Sequence, residues 1–158
     1  MNKFLKIIIF FVLISFASAC SYKPMFLKKS YDFKIEQINL TGDKDINSII
    51  NRKLKFIKSN NINYKKYYSV YLDTKKEKKV ISKDTQGDPS KFEISITTTY
   101  KIYNDQKLLI ERKINQKNIY NNDTDKFKLE KSEKIIIQNL TEKISENIIT
   151  SIINLNDN

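Results

Sequence analysis

The most regular pattern in the chain runs from Phe92 to Ile102. Phe92, Ile94, Ile96, Thr98, Tyr100 and Ile102 alternate with Glu93, Ser95, Thr97, Thr99 and Lys101. A period of two predicts a strand with one buried and one solvated face, as antiparallel sheets commonly have. Asn104-Asp105-Gln106 reads as a turn, and residues 107–120 as the returning strand, with Leu108, Ile110 and Ile114 on one face. Upstream, Tyr68, Val70 and Leu72 alternate with Ser69, Tyr71 and Asp73, and this strand runs into a very charged segment. Earlier still, Tyr31, Phe33, Ile35, Ile38 and Leu40 predict a first strand whose alternation is imperfect.

Elsewhere the period changes to three and four. Ile46, Ile49, Ile50, Leu54 and Ile57 predict an amphipathic helix over 44–58, capped from Thr41-Gly42-Asp43 and ended at Asn60-Asn61. Ile136, Ile137, Leu140, Ile144, Ile148 and Ile152 stripe a long closing helix that Asp123 or Thr124 can cap. The order β-α-β-β-β-α predicts an α+β fold, a two-layer sandwich with two helices packed on one face of a four-stranded, mostly antiparallel sheet.

A different pattern precedes this domain. Lys3 and Lys6 flank the start of an apolar run over residues 7–16, broken only by Ser15, and Ala17, Ser18 and Ala19 supply small side chains. These are the parts of a secretory signal, and the run falls short of the about 20 apolar residues that span a bilayer. Residues 1–19 are therefore expected to be a signal peptide rather than an uncleaved anchor. Cys20 is the only cysteine and the chain has no histidine, so neither an internal disulfide nor a shared Cys/His metal site is available to it. Small residues ending in a cysteine resemble a bacterial lipobox, although Ala17 stands where leucine is most common. Cys20 is the expected lipidation site, bearing a covalent diacylglycerol and an N-acyl chain, with no other cofactor. Residues 20–30, with Pro24, read as a tether and residues 31–158 as one domain.

Charge narrows the partners. The formal net charge is +11, and it falls to +9 when Lys3 and Lys6 leave with the signal. An exported chain does not meet the genome, and Arg52 and Arg112 are its only arginines, so nucleic acid is not an expected partner. Lipid head groups and phosphorylated glycolipids are the anionic surfaces outside the cytoplasm. The part of the chain that remains after residue 19 is long enough to bury about two-thirds of its unfolded surface.

Catalytic chemistry is scarce. Without histidine, and with Cys20 consumed by lipid, Ser-His-Asp and Cys-His systems are excluded, and Gly42 and Gly87 stand alone rather than in a phosphate-cradling loop. Glu111 with Glu93 across the hairpin is a formal carboxylate pair, but beside lysines an exposed ion pair is the simpler reading. No enzyme is expected. Lys75, Lys76, Lys78 and Lys79, followed by Lys83, sit between two strands either as a solvated loop or as a surface that meets phosphates. Tyr64, Tyr67, Tyr68 and Tyr71 read as sheet packing, with a sugar-stacking platform as the other possibility.

Cys20-Ser21-Tyr22-Lys23-Pro24-Met25-Phe26 resembles the Cys-Gly-Phe-x-Pro-Leu-Tyr opening of the LptE-like lipoproteins of lipopolysaccharide assembly. The strand–helix start, SKDTQGDPSKFEISITTTYKIY before its hairpin partner, and a closing helix after Tyr120 follow the family's order. Ser21 in place of glycine, and isoleucines in EKIIIQNLTEKISENIITSI in place of alanines, depart from it. The resemblance implies a lipid-anchored protein on the periplasmic side of the outer membrane. Such a protein plugs and helps assemble an LptD-type β-barrel and binds lipopolysaccharide. By position it implies Lys75, Lys76, Lys78, Lys79, Lys83, Lys91 and Arg112 as lipopolysaccharide contacts. It also implies that replacing Lys75, Lys76, Lys78 and Lys79 with Ser weakens that binding and leaves folding intact. An auxiliary lipoprotein of an ABC-type lipid transporter is the alternative.

Overall fold

The imperfect alternation of the first strand has a physical origin. In the computed structural model, which describes residues 33–57 and 64–156, β1 (Phe33–Gly42) carries a bulge between Ile35 and Gln37. Glu36 is the extra residue, so Ile35 lies level with Tyr68 while Ile38 and Leu40 lie level with Val70 and Leu72. The bulge shifts the inward positions by one, keeping apolar side chains on one face across a broken period. Tyr31 and Asn60-Asn61, read above as the start of that strand and the end of the helix, lie outside the described residues, as do Cys20, the signal and the tether.

Gly42 then turns the chain with φ +90°, a conformation open to glycine, and Asp43 caps α1 (Lys44–Lys55). The Asp43 carboxylate accepts from the backbone N–H groups of Asp45 and Ile46, each at 3.1 Å. The helix is shorter than the expected 44–58 because its last turn tightens: the Phe56 N–H donates to the carbonyls of both Arg52 and Lys53.

Next comes β2 (Lys66–Lys83), which is much longer than the sequence pattern implied. The basic segment is not a loop between strands. It is the second half of β2, laddered to β3 (Pro89–Asn104) in an antiparallel register that continues to Lys83 opposite Pro89. Backbone pairing depends little on side-chain polarity, so the alternating β3 brings its charged partner into the sheet. The connecting loop is only 84–88, where the Asp84 carboxylate accepts from the backbone N–H groups of Gln86 and Asp88 at 2.9 Å.

The expected turn at Asn104-Asp105-Gln106 is present, with Asp105 at φ +51°, and β4 (Lys107–Asn121) returns antiparallel to β3. A second bulge corrects one expectation. Ile102 pairs with Ile110 but Tyr103 pairs with Leu108, so Leu109 is the extra residue and Leu108 leaves the face shared by Ile110 and Ile114. Leu108 is 43% exposed. Another correction concerns α2 (Lys126–Asn156): its cap is Asp125, whose carboxylate accepts from Phe127 and Lys128, while Asp123 accepts from Asp125 and pairs with Lys128.

The sheet order is β1-β2-β3-β4, with β1 parallel to β2 and the other pairs antiparallel. Element order, strand number and the mostly antiparallel sheet agree with the α+β expectation. Phe33, Tyr68, Val70, Leu72, Ile94, Ile96, Tyr100 and Ile102 meet Ile46, Ile50 and Leu54 of α1 and Leu140, Ile144, Ile148 and Ile152 of α2 in one buried core. Both helices thus cover one face, and among the described residues no helix lies on the opposite face of the sheet.

Candidate functional site

Strand alternation divides the basic segment into two sets. Tyr68, Val70, Leu72 and Thr74 face the helices, so Lys76, Lys78 and Val80 continue that face, level with Ile96, Ile94 and Phe92. Lys75, Glu77 and Lys79 face the other way, level with Thr97, Ser95 and Glu93. Side chains adjacent in sequence therefore have different work.

The inward pair is tied to the two helices. Lys76 Nζ lies 3.0 Å from the Asp43 carboxylate, the cap of α1. Burial alone would raise the pKa of Asp43, but the Ile46 N–H, the Lys76 ammonium and the Asp45 N–H hold it below its ordinary value. Lys78 Nζ donates to Glu133 of α2 and lies 4.4 Å from the centroid of the Phe92 ring. Glu133 also accepts from the Tyr120 hydroxyl at 2.6 Å, and Tyr120 stacks on Phe92 at 5.7 Å. Burial would raise Glu133, yet Lys78 and Tyr120 lower it, while burial first and the bond to Glu133 next raise Tyr120. Glu133 and Tyr120 carry no sequence signal for this role, because their partner Lys78 is remote in the chain.

The outward set is solvated. Glu77 lies between Lys75 at 2.7 Å and Lys79 at 3.1 Å, and hydrogen bonds from both lower its pKa to about 2. Two cations share one carboxylate, so this row keeps a net positive charge. Lys91 lies on the same face at the hairpin end, level with Ser82, and Lys83 is level with Pro89. Among the described residues neither Lys83 nor Lys91 has a carboxylate within ion-pair distance. Lys75, Lys79 and Lys91 thus share the uncovered face, strung along about 20 Å at about 3.3 Å per residue, with Lys83 at the tip of the hairpin. Arg112 is not with them. It lies level with Tyr100 on the helix-facing side of β4, where it lines a cleft of about 450 Å³ with Lys113, Asn147, Thr150 and Ser151.

Other candidates resolve simply. Glu93 and Glu111 sit level with Ile119 and Lys101, eight positions apart along β3, and each has its own partner, Lys117 at 3.4 Å and Lys101 at 3.0 Å. They are two separate ion pairs and not an acid–base pair. The tyrosines divide: Tyr68 is buried and packs on Phe33 at 5.5 Å, whereas Tyr71 meets Tyr103 edge-on at 5.3 Å on the uncovered face. Tyr67 packs edge-on against Tyr64 at 6.2 Å and remains 39% exposed. Among the described residues no cluster of three His, Cys, Asp or Glu residues could hold a metal ion, and no helix is long and apolar enough to cross a membrane.

No protein-family model matches the sequence, and no curated protein matches it. The fold does have relatives. Rare lipoprotein B from Shewanella oneidensis superposes with a TM-score of 0.58 at 14% identity, over 73% of this chain and 92% of that one. Lipoprotein B from Nitrosomonas europaea gives 0.56 at 12% identity, over 83% and 91%. A minor lipoprotein from Acinetobacter baumannii gives 0.54 at 15% identity, over 77% and 92%. The chain shares the fold of these bacterial lipoproteins.

Proposed function

We propose that this chain is an outer-membrane lipoprotein, anchored through lipidated Cys20, that plugs an LptD-type β-barrel and binds lipopolysaccharide on its way to the surface. Its work is binding and assembly rather than catalysis. The observation that carries the ligand half of this reading is the row of Lys75, Lys79 and Lys91 along the uncovered face, with Lys83 at its tip. Their ammonium groups, of which Lys75 and Lys79 share Glu77 and Lys83 and Lys91 have no ion-pair partner among the described residues, suit the phosphates of a glycolipid, which lysine meets as a hydrated point charge. The shared lipoprotein fold and the lipobox-like sequence at Cys20 support the anchoring half. One lipid chain holds a protein only marginally, at about 0.8 kcal/mol per buried methylene, so a multiply acylated cysteine accounts for stable attachment.

The test replaces Lys75, Lys79, Lys83 and Lys91 with Ser together and leaves Lys76 and Lys78 in place. The earlier expectation that Lys76 and Lys78 can be removed without harm to folding does not fit their bonds to Asp43 and Glu133. The quadruple variant should bind immobilised lipopolysaccharide at least about tenfold more weakly, each lost charge contact being worth a fraction of a kcal/mol to about 1 kcal/mol. Its urea midpoint should stay unchanged. Undiminished binding removes these lysines from the ligand site. A chain that crosslinks in cells to no β-barrel overturns the plug.

A further inference from the structure

β2 is 18 residues long and β1 is 10, and their pairing ends where Gly42 meets Thr74. Beyond that point the chain turns away through Asp43 into α1. Among the described residues no strand pairs with β2 on that side from Lys75 to Lys83. The Thr74 carbonyl points to this side, since it accepts from the Asp43 N–H at 3.0 Å. Along a strand such groups alternate, so Lys76, Lys78 and Val80 direct their N–H and C=O groups into the unoccupied edge.

We infer that this edge of β2 docks an extended, acidic segment of a partner protein, which adds to the sheet as a strand. Main-chain bonds to Lys76, Lys78 and Val80 supply the pairing, and the side chains supply the choice. Lys75 and Lys79 stand on the uncovered face directly beside the edge and share only Glu77, so acidic residues at alternate positions of the incoming strand complete their pairing. At the far end, Val80 and Ile81 are each 45% exposed and offer an apolar step where the ladder to β3 shifts register.

Two other occupants fit less well. A second copy pairing edge to edge sets lysines against lysines, the arrangement by which edge lysines block self-association. The chain's own residues 20–32 carry Lys23, Lys28 and Lys29 and repel the edge in the same way. They also arrive at Phe33, level with Lys66, at the opposite end of β2. Fully extended they span at most about 45 Å. Reaching Lys75 and then lining the edge to Lys83 takes about 55 Å at about 3.3 Å per residue. The inference shares Lys75 and Lys79 with the lipopolysaccharide reading but rests on the backbone groups of Lys76, Lys78 and Val80, which a phosphate ligand on the uncovered face leaves untouched.

The experiment reads amide hydrogen exchange of the purified full chain by NMR, with and without acetylated nine-residue peptides. One peptide alternates Thr with Glu, a second alternates Thr with Lys, and a third has the acidic composition with a central Pro. The acidic peptide should slow exchange at Lys76, Lys78 and Val80 by about tenfold or more and leave core amides unchanged. The basic and Pro-interrupted peptides should not. Lys75→Glu with Lys79→Glu should transfer the preference to the basic peptide, a readout independent of any loss of stability. Unchanged exchange at the three amides overturns the inference, and so does equal protection by the Pro-interrupted peptide, which marks attraction without strand pairing. Protection already present without peptide also overturns it: if independent of protein concentration it assigns the edge to the chain's own N-terminal segment, and if concentration-dependent, to a second copy.

Discussion

Replacing Lys78 by Ser tests whether the basic segment is one charged patch or two functionally distinct rows. Lys78 is 42% exposed at the side chain, but its ammonium bonds to Glu133 and lies over the Phe92 ring. The ion pair contributes about 1 kcal/mol at such partial exposure, and the ring contact about 0.5–1 kcal/mol. Loss of Lys78 also leaves Glu133, 20% exposed, with Tyr120 as its remaining partner. The sum is about 2 kcal/mol, which at an m-value of about 2 kcal/mol/M lowers the urea midpoint by about 1 M. Lys79, one residue on and facing the other way, should cost no more than about 0.5 kcal/mol as Ser. Urea titration followed by circular dichroism on Lys78→Ser, Lys79→Ser, Glu133→Gln and the Lys78/Glu133 double variant gives the comparison. The cycle should return a coupling of about 1 kcal/mol. Equal costs for Lys78 and Lys79, or strictly additive costs for Lys78 and Glu133, would refute the division of the segment by strand parity.

Gly42→Ala should be among the most damaging single substitutions: a Cβ there meets the Thr74 carbonyl oxygen at 1.9 Å and must adopt φ +90°. Backbone strain of about 1–2 kcal/mol plus loss of the Asp43–Thr74 hydrogen bond at about 1 kcal/mol predicts a thermal midpoint lowered by about 10 °C or more. Acid should destabilise the fold through Glu133 and Asp43, whose folded pKa values lie below 4.5 and 3.8 respectively. A depressed folded pKa gives stabilisation that is present above the unfolded value and lost as pH falls through the folded one. Urea midpoints should therefore decline from about pH 5 to about pH 3, and Glu133→Gln should flatten that decline; an unaltered slope rules Glu133 out. Asp125→Ala should remove the α2 cap and cost about 1 kcal/mol by the same titration, whereas Thr124→Ala should leave the midpoint in place.

The parts of the fold that alternate cleanly were legible. Ile94, Ile96, Thr98, Tyr100 and Ile102 are buried as the period of two requires, and Leu140, Ile144, Ile148 and Ile152 line α2 at the expected spacing. The bulges at Glu36 and Leu109 were not, since these residues act only through register, which is set by the partner strand and not by the residue itself. The cap of α2 was missed as well: Asp123 or Thr124 was expected, yet Asp125 holds the first turn, and residue type alone does not separate neighbouring capping residues.

The basic segment is the instructive case, because its parity was present in the sequence all along. Tyr68, Val70 and Leu72 place the even positions toward the helices, and extending the strand carries Lys76, Lys78 and Val80 onto that face. What hid this is that an inward lysine gives no hydrophobic signal. Its compensation comes from Asp43, more than 30 residues earlier, and Glu133, 55 residues later. Lysine tolerates the position because its apolar stem lies level with Ile96 or Ile94 while the ammonium reaches a carboxylate on a helix or its cap. The edge location adds a second demand, since β2 runs on past Gly42 without a neighbour and needs charge to stay unpaired with its own copies. Sheet architecture alone therefore accounts for Lys76 and Lys78, and it leaves Lys75, Lys79, Lys83 and Lys91 as the residues on which the binding assay acts without disturbing the bonds to Asp43 and Glu133.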